Sequence, residues 1–314
     1  MVNPSFPRTT FILTLSSTPS SMDNLPAELL CEIILKNAER DYHSHNRLVT
    51  ALRSSQVCQI WRAIILACPS LWGRLLDLSY FEKAKESWTQ EVIARGNGAA
   101  LWITGHIVSS TTLPLFKSLM KDHWERVQDL EVIDYQTQGP KKMWSVLLQK
   151  APILERLSIK YPPLSYPRRA GPVVIRSLFN VAPRLLEFRV PGNFQFNMNT
   201  PCISNIRVFT FPAEYSVPMI LSSLKLLPRL THLRIESHRF IGHPPPPKMD
   251  LVEVDLLSLE SLKIVGRDYY DVQALLECIT PSSRCGLLLT QGEPRLYHIR
   301  DPARHIWGIS VKDL

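Results

Sequence analysis

The amino-acid sequence predicts an α/β chain in which a small helical segment is followed by a repeat solenoid with a curved parallel sheet. Apolar residues with helical spacing are concentrated between residues 24 and 68. From about residue 99 a short strand pattern recurs at intervals of roughly 21 to 31 residues. The chain also has 25 prolines against 12 glycines, and proline interrupts both helices and strands. Together these observations favour many short elements over a few long ones.

The first predicted helix covers residues 24–37. Its apolar residues recur at positions i, i+1, i+4 and i+5, which gives one broad apolar face, and Pro26 suits the first turn. Shorter apolar stripes predict two further helices, one around residues 48–52 and one over residues 57–68. Three helices of this size are too small for a secure core of their own. Part of their apolar surface is therefore expected to need a partner.

Three blocks of this helical segment resemble an F-box, in the F-box-like form common in fungi. In order along the chain the blocks are Leu25-Pro26-x-Glu28-Leu29-Leu30-x-Glu32-Ile33, Val57-Cys58-x-x-Trp61-Arg62 and Pro69-x-Leu71-Trp72. The resemblance covers residues 22–80. Two departures are visible: residues 41–46 lengthen the loop between the first two helices, and Ile60 stands where the family often has a basic residue.

The F-box resemblance implies a docking function. In that family the opening Leu-Pro, the first helix and the Val-x-x-x-Trp helix bind a Skp-family adaptor, which bridges to a cullin. The residues at the matching positions, and hence the expected adaptor-binding set, are Leu25, Pro26, Leu29, Leu30, Ile33, Val57, Cys58 and Trp61.

The recurring strand pattern is apolar-x-x-apolar-x-apolar. Its copies have the anchors Val127/Leu130/Val132, Leu154/Leu157/Ile159, Leu185/Phe188/Val190, Ile206/Phe209/Phe211, Leu230/Leu233/Ile235 and Leu259/Leu262/Ile264. Three copies follow a proline that ends a helically spaced run, so the unit is predicted to be helix, proline turn and strand. Residues 101–105 and 286–290 are predicted to add strands at either end. The period and pattern resemble an irregular leucine-rich repeat, which implies parallel strands lining a curved solenoid.

The polar residues between the anchors form the expected target-binding face. From the second copy of the pattern onward, basic residues outnumber acidic ones among them. The expected target-binding residues are Arg156, Arg189, Arg207, Arg234 and Lys263. Basic side chains on such a face favour an acidic or phosphorylated protein target. The alternative is that these positions are merely solvated, because alternation along any strand produces them.

The sequence offers no support for catalysis or a cofactor. Motifs for nucleotide binding, metallopeptidases and serine hydrolases are absent, so no catalytic residue, metal or cofactor is expected. The net charge of +8 is scattered, which disfavours nucleic acid as a partner, and no apolar run is long enough to span a bilayer. Six cysteines without a C-x-x-C pair indicate a reducing compartment, and a cytoplasmic or nuclear protein is expected.

These inferences predict four segments and one function. The segments are a disordered leader (1–21), an F-box-like helical domain (22–80), a leucine-rich repeat-like solenoid (81–290) and a C-terminal cap or tail (291–314). The predicted function is the non-catalytic substrate-recognition subunit of a Skp-cullin-F-box ubiquitin ligase. The alternatives are a repeat scaffold without a ubiquitin role and a basic nucleic-acid-binding repeat protein. Exposure of Leu29, Ile33 and Trp61 would favour docking, whereas their burial against the repeats would favour the scaffold.

Overall fold

The computed structural model confirms the α/β class, with helices and parallel strands. It describes residues 26–39, 47–108, 112–135, 140–161, 173–174, 181–190, 194–198, 200–211, 215–236, 251–266 and 269–290. The chain divides into two compact units, residues 1–168 and residues 169–314. The predicted leader (1–21) and the predicted C-terminal cap or tail (291–314) lie outside the described residues.

Helices α1 (Ala27–Asn37), α2 (Arg47–Ser54) and α3 (Gln59–Leu66) occupy the regions near the N-terminus where the sequence predicts helices. A fourth helix, α4 (Pro69–Gly73), follows them and is not predicted from the sequence. Pro69 stands in the first turn of α4, where its missing N–H costs no hydrogen bond. The small core between these helices contains Leu30, Ile34, Ile65 and Trp72, and all four are buried. This core extends into the rest of the first unit, because α4 contacts both α1 and the later helix at Glu86–Arg95.

The rest of the first unit alternates helices with parallel strands. The helices are α5 (Leu78–Phe81), α6 (Glu86–Arg95) and α7 (Thr112–His123), and 3-10 turns cover Trp124–Arg126 and Pro140–Leu148. The strands are β1 (Leu76–Asp77), β2 (Leu101–Ile107), β3 (Val127–Asp134) and β4 (Arg156–Lys160), which pair in parallel in the order β1-β2-β3-β4. Because β1 begins before residue 80, the sheet starts inside the segment that the sequence assigns to the helical domain.

The second unit contains a parallel sheet of five strands and two small strand pairs among its described residues. The sheet has the order β6 (Glu187–Arg189), β8 (Val208–Phe211), β9 (His232–Glu236), β11 (Ser261–Val265) and β13 (Gly286–Thr290). The pairs are β5 (Val173–Val174) with β7 (Phe194–Gln195) and β10 (Val254–Leu256) with β12 (Ile279–Pro281). The helical elements are α8 (Val217–Leu224), α9 (Tyr269–Cys278) and a 3-10 turn at Pro201–Asn205.

The predicted repeat anchors form the core of both units. Each of the eighteen anchor side chains is buried. Middle anchors of successive strands are register partners, as Leu130 and Leu157 are in the first unit and Phe209 and Leu233 in the second. Apolar side chains therefore stack in lateral rows on one face of each sheet. Side chains alternate along a strand, so the residues between the anchors point to the other face.

Candidate functional site

Helix α1 carries two adjacent apolar stripes. Leu30 and Ile34, four residues apart, are 1% and 6% exposed and pack inside the helical segment. Leu29 and Ile33 have the same spacing one position earlier, and both are 48% exposed. Because one residue corresponds to about 100° around a helix, the second stripe lies to the side of the first. The fold uses only one of these two stripes for its own core.

A second group of exposed apolar side chains lies at the start of α3. Val57, just before that helix, is 64% exposed, and Ile60 in its first turn is 53% exposed. Helices α1 and α3 pack against each other, so these residues and the outer stripe of α1 belong to adjacent helices. We call Leu29, Ile33, Val57 and Ile60 the apolar face. Exposed apolar side chains that form one contiguous patch often mark an interaction site, whereas single ones are common on any protein surface.

The structure sorts the predicted adaptor-binding residues into several environments. Pro26 is exposed, whereas Cys58 and Trp61 are half-buried. Leu25 lies outside the described residues. Leu30 belongs to the inner stripe, so its side chain holds the helices together and is not available on the surface. Ile60, which the sequence marks only as a departure from the family pattern, is among the most exposed apolar residues of the segment.

Two arginines connect the end of α1 to the rest of the first unit. Arg47 donates through Nη1 to the carbonyl of Ala38 (3.1 Å) and through Nη2 to Oγ1 of Thr104 in β2 (3.2 Å). Arg74 donates to the carbonyl of Leu35 over 3.5 Å. Carbonyls at a helix C-terminus lack intrahelical donors and carry partial negative charge, so cations there are stabilising. These contacts hold α1, and with it the outer stripe, in a fixed orientation on the first unit.

Arg156, one of the expected target-binding residues, forms an ion pair within the chain. Its Nε lies 2.6 Å from Oδ2 of Asp129, a carboxylate with a 1% exposed side chain. Its guanidinium also lies 5.1 Å from the ring centre of Trp102, which Arg74 approaches to 4.5 Å. A buried carboxylate requires a cationic partner, and Arg156 supplies it. Arg156 is therefore better explained as an internal ion-pair residue than as a target contact.

The second unit brings three of the other basic residues into one row. Arg189 is the register partner of Thr210, Thr210 of Arg234, and Arg234 of Lys263. Neighbouring strands are about 4.8 Å apart, so the basic groups follow one line across the sheet. We call Arg189, Arg234 and Lys263 the basic row. Arg207 is exposed but precedes β8 and lies outside this row.

Each arginine of the basic row has an acidic neighbour on its own strand. Arg189 lies 3.3 Å from a carboxylate oxygen of Glu187, and Arg234 forms an ion pair with Glu236. The two arginine side chains are still 37% and 42% exposed. Solvent-exposed ion pairs are weak, so a better-placed anion can compete with these carboxylates.

The described residues include no cluster of three potential metal ligands. Burial raises the pKa of the Cys31, Cys278 and Cys285 thiols, which lowers the fraction of reactive thiolate at neutral pH. None of the described helices has both the length and the apolar character required to cross a membrane.

No protein-family model matches this chain, and no curated protein matches it in sequence.

Proposed function

We propose that this chain is the non-catalytic substrate-recognition subunit of a Skp-cullin-F-box ubiquitin ligase. The apolar face docks the Skp-family adaptor, and the basic row contributes to binding a protein target. The chemistry is performed by a ubiquitin-charged enzyme elsewhere in the complex. Holding the target near that enzyme raises the effective concentration of the target at the enzyme.

The exposure of Leu29, Ile33 and Val57 carries this proposal, since the F-box resemblance assigns these three residues to the adaptor and each is 48% or more exposed. Trp61, which the prediction paired with Leu29 and Ile33 for this comparison, is half-buried. In a scaffold whose helices only cap the repeats, the side chains of Leu29, Ile33 and Val57 would be covered by the repeats. Their exposure therefore supports docking over the scaffold alternative.

The basic row supports an acidic or phosphorylated target. Three cations in register on one sheet face match a carboxylate-rich or phosphate-bearing segment better than an apolar one. The row is short, and Glu187 and Glu236 interrupt its positive charge. The long basic stripe with aromatic platforms that is typical of nucleic-acid-binding surfaces does not occur among the described residues of this face.

Replacing both Leu29 and Ile33 with aspartate is expected to weaken binding to a purified Skp-family adaptor by about 100-fold or more. Burying a leucine or isoleucine at an interface contributes about 1.5–3 kcal/mol, and aspartate adds the cost of dehydrating a charge. The affinity can be measured by isothermal titration calorimetry. Both positions are half exposed, so the double variant is expected to fold.

The matched control for this experiment is Leu257→Asp. Leu257 lies in the second unit and is 74% exposed, so the substitution introduces one aspartate, against two in the test variant, on another exposed leucine. It should leave adaptor affinity unchanged. Absence of binding by folded wild-type protein, or equal binding by the Leu29/Ile33 variant, would overturn the docking proposal.

Replacing Arg189 and Arg234 with glutamate is expected to weaken binding of an acidic, phosphoserine-containing peptide by at least about 10-fold. Each reversal removes one charge-assisted contact and adds a repulsive one. Fluorescence anisotropy with a labelled peptide at low and high salt measures the effect. The control, Arg184→Glu with Lys225→Glu, makes the same charge change at exposed positions of the second unit outside the strands. Equal weakening by both variants would show that peptide binding depends on the net charge of the unit and not on the basic row itself.

A further inference from the structure

Two cysteines of the helical segment lie in contact although they are far apart in sequence. The Sγ atoms of Cys31, in the middle of α1, and Cys68, the residue before α4, are 3.5 Å apart. Both residues are half-buried and both are free thiols. A small oxidant can therefore reach them, while their helices limit the positions that the two sulfur atoms can adopt.

We propose that Cys31 and Cys68 form a reversible disulfide when the protein meets a peroxide, so that the helical segment contains a redox-sensitive crosslink. The proposal does not depend on the adaptor or the target. A disulfide has an S–S distance of about 2.05 Å, so the sulfur atoms need to approach by about 1.5 Å. Side-chain rotation and a small helix shift can supply that movement.

The chemistry is a two-electron oxidation of the thiol pair. The Cys68 thiol loses its proton to solvent, its sulfur attacks one peroxide oxygen and the O–O bond breaks, so that a sulfenic acid forms on Cys68 while the departing hydroxide takes up a proton and leaves as water. The sulfur of Cys31 then attacks the Cys68 sulfur, the S–S bond forms and the S–O bond breaks. The departing hydroxide takes the Cys31 proton and leaves as a second water.

The surroundings of Cys31 support this order of steps. Burial raises the pKa of the Cys31 thiol, and its contact with Cys68 raises it further. The Cys31 thiol therefore forms its thiolate less readily than an unperturbed cysteine, which disfavours it as the first thiol to attack the peroxide and supports its assignment to the second step.

The crosslink would close a ring that contains α2 and α3. Cys31 and Cys68 are 37 positions apart, so oxidation removes much conformational freedom from the unfolded chain. It would also fix α1, which carries Leu29 and Ile33, to the start of α4. A rise in Tm of about 5–15 °C is expected for the oxidised protein.

Peptide mapping of the full chain tests the proposal directly. Trypsin separates the relevant cysteines, because Cys31, Cys58 and Cys68 fall in the tryptic peptides 9–36, 54–62 and 63–74. After treatment with hydrogen peroxide and alkylation of remaining thiols, the non-reduced digest is expected to contain peptide 9–36 linked to peptide 63–74. Dithiothreitol should remove both the link and the rise in Tm.

Single variants make the assignment specific. Cys31→Ser and Cys68→Ser should each lose the link and the rise in Tm, whereas Cys285→Ser, in the second unit, should keep both. The Cys31→Ser variant should accumulate a sulfenic acid on Cys68 that a dimedone probe labels. The proposal is overturned if peroxide links Cys58 in place of either partner, joins two chains, or oxidises the thiols without forming a link.

Discussion

Replacing Trp72 with alanine is expected to lower the free energy of unfolding of the first unit by about 3–5 kcal/mol. The indole is fully buried, and its Nε1 donates a hydrogen bond to the carbonyl of Ile65 over 2.8 Å. The ring of Trp88 meets it edge to face at 6.5 Å, and the guanidinium of Arg95 lies 5.3 Å from its centre. Alanine would leave a large cavity and an unpaired carbonyl.

Chemical denaturation of the wild type and the variant measures this loss. Trp72→Phe separates its two causes, since phenylalanine fills most of the space but cannot donate to Ile65. An intermediate loss of about 1–3 kcal/mol is expected for that variant. A change of less than about 1 kcal/mol for Trp72→Ala would show that α4 is not part of a packed core.

Replacing Phe209 with alanine is expected to destabilise the second unit by a similar amount, about 3–5 kcal/mol. Its ring is fully buried between three other rings, with centre-to-centre distances of 5.5 Å to Phe188, 5.9 Å to Phe196 and 4.7 Å to Phe211. Aromatic pairs in such geometries add to the free energy of burial. Removing the central ring therefore costs both its own burial and three ring contacts.

The neighbouring residue provides the control for Phe209. Val208 lies on the same strand but points to the opposite face and is only half-buried. Val208→Ala is expected to change the free energy of unfolding by less than about 1.5 kcal/mol, measured in the same denaturation experiment. Similar losses for the two variants would contradict the difference in burial between Val208 and Phe209.

Apart from β1, the strands of the two main sheets were predictable because their signal is local. Each anchor triplet places apolar residues on one face of a short strand, and burial of that face is the main requirement of a stacked repeat. Residues 101–105 and 286–290 likewise lie within β2 and β13. The end of the third predicted helix before Pro69 was predictable for a similar reason, since proline disfavours continuation of the helix that precedes it.

Other features depend on contacts between distant residues and could not be read from the sequence. β1 has only two residues and is defined by its pairing with β2. Leu29 and Leu30 are identical in type and adjacent, and only the packing of α1 decides which is exposed. The sequence does not distinguish Arg156 from the other basic residues, because its ion pair with Asp129 forms only in the folded chain. The proximity of Cys31 and Cys68 also arises only from helix packing.

The regular lateral pairing of strands has a consequence for how the chain reaches its native state. Within each unit, paired residues of successive main-sheet strands are separated by about 21 to 29 positions. The entropy of closing a loop rises only slowly with its length, so each pairing step carries a similar and moderate cost. A growing sheet can therefore add its next strand as soon as the ribosome has released about one further repeat. The order of synthesis and the order of assembly can then coincide, which shortens the time for which any apolar strand edge is left unpaired.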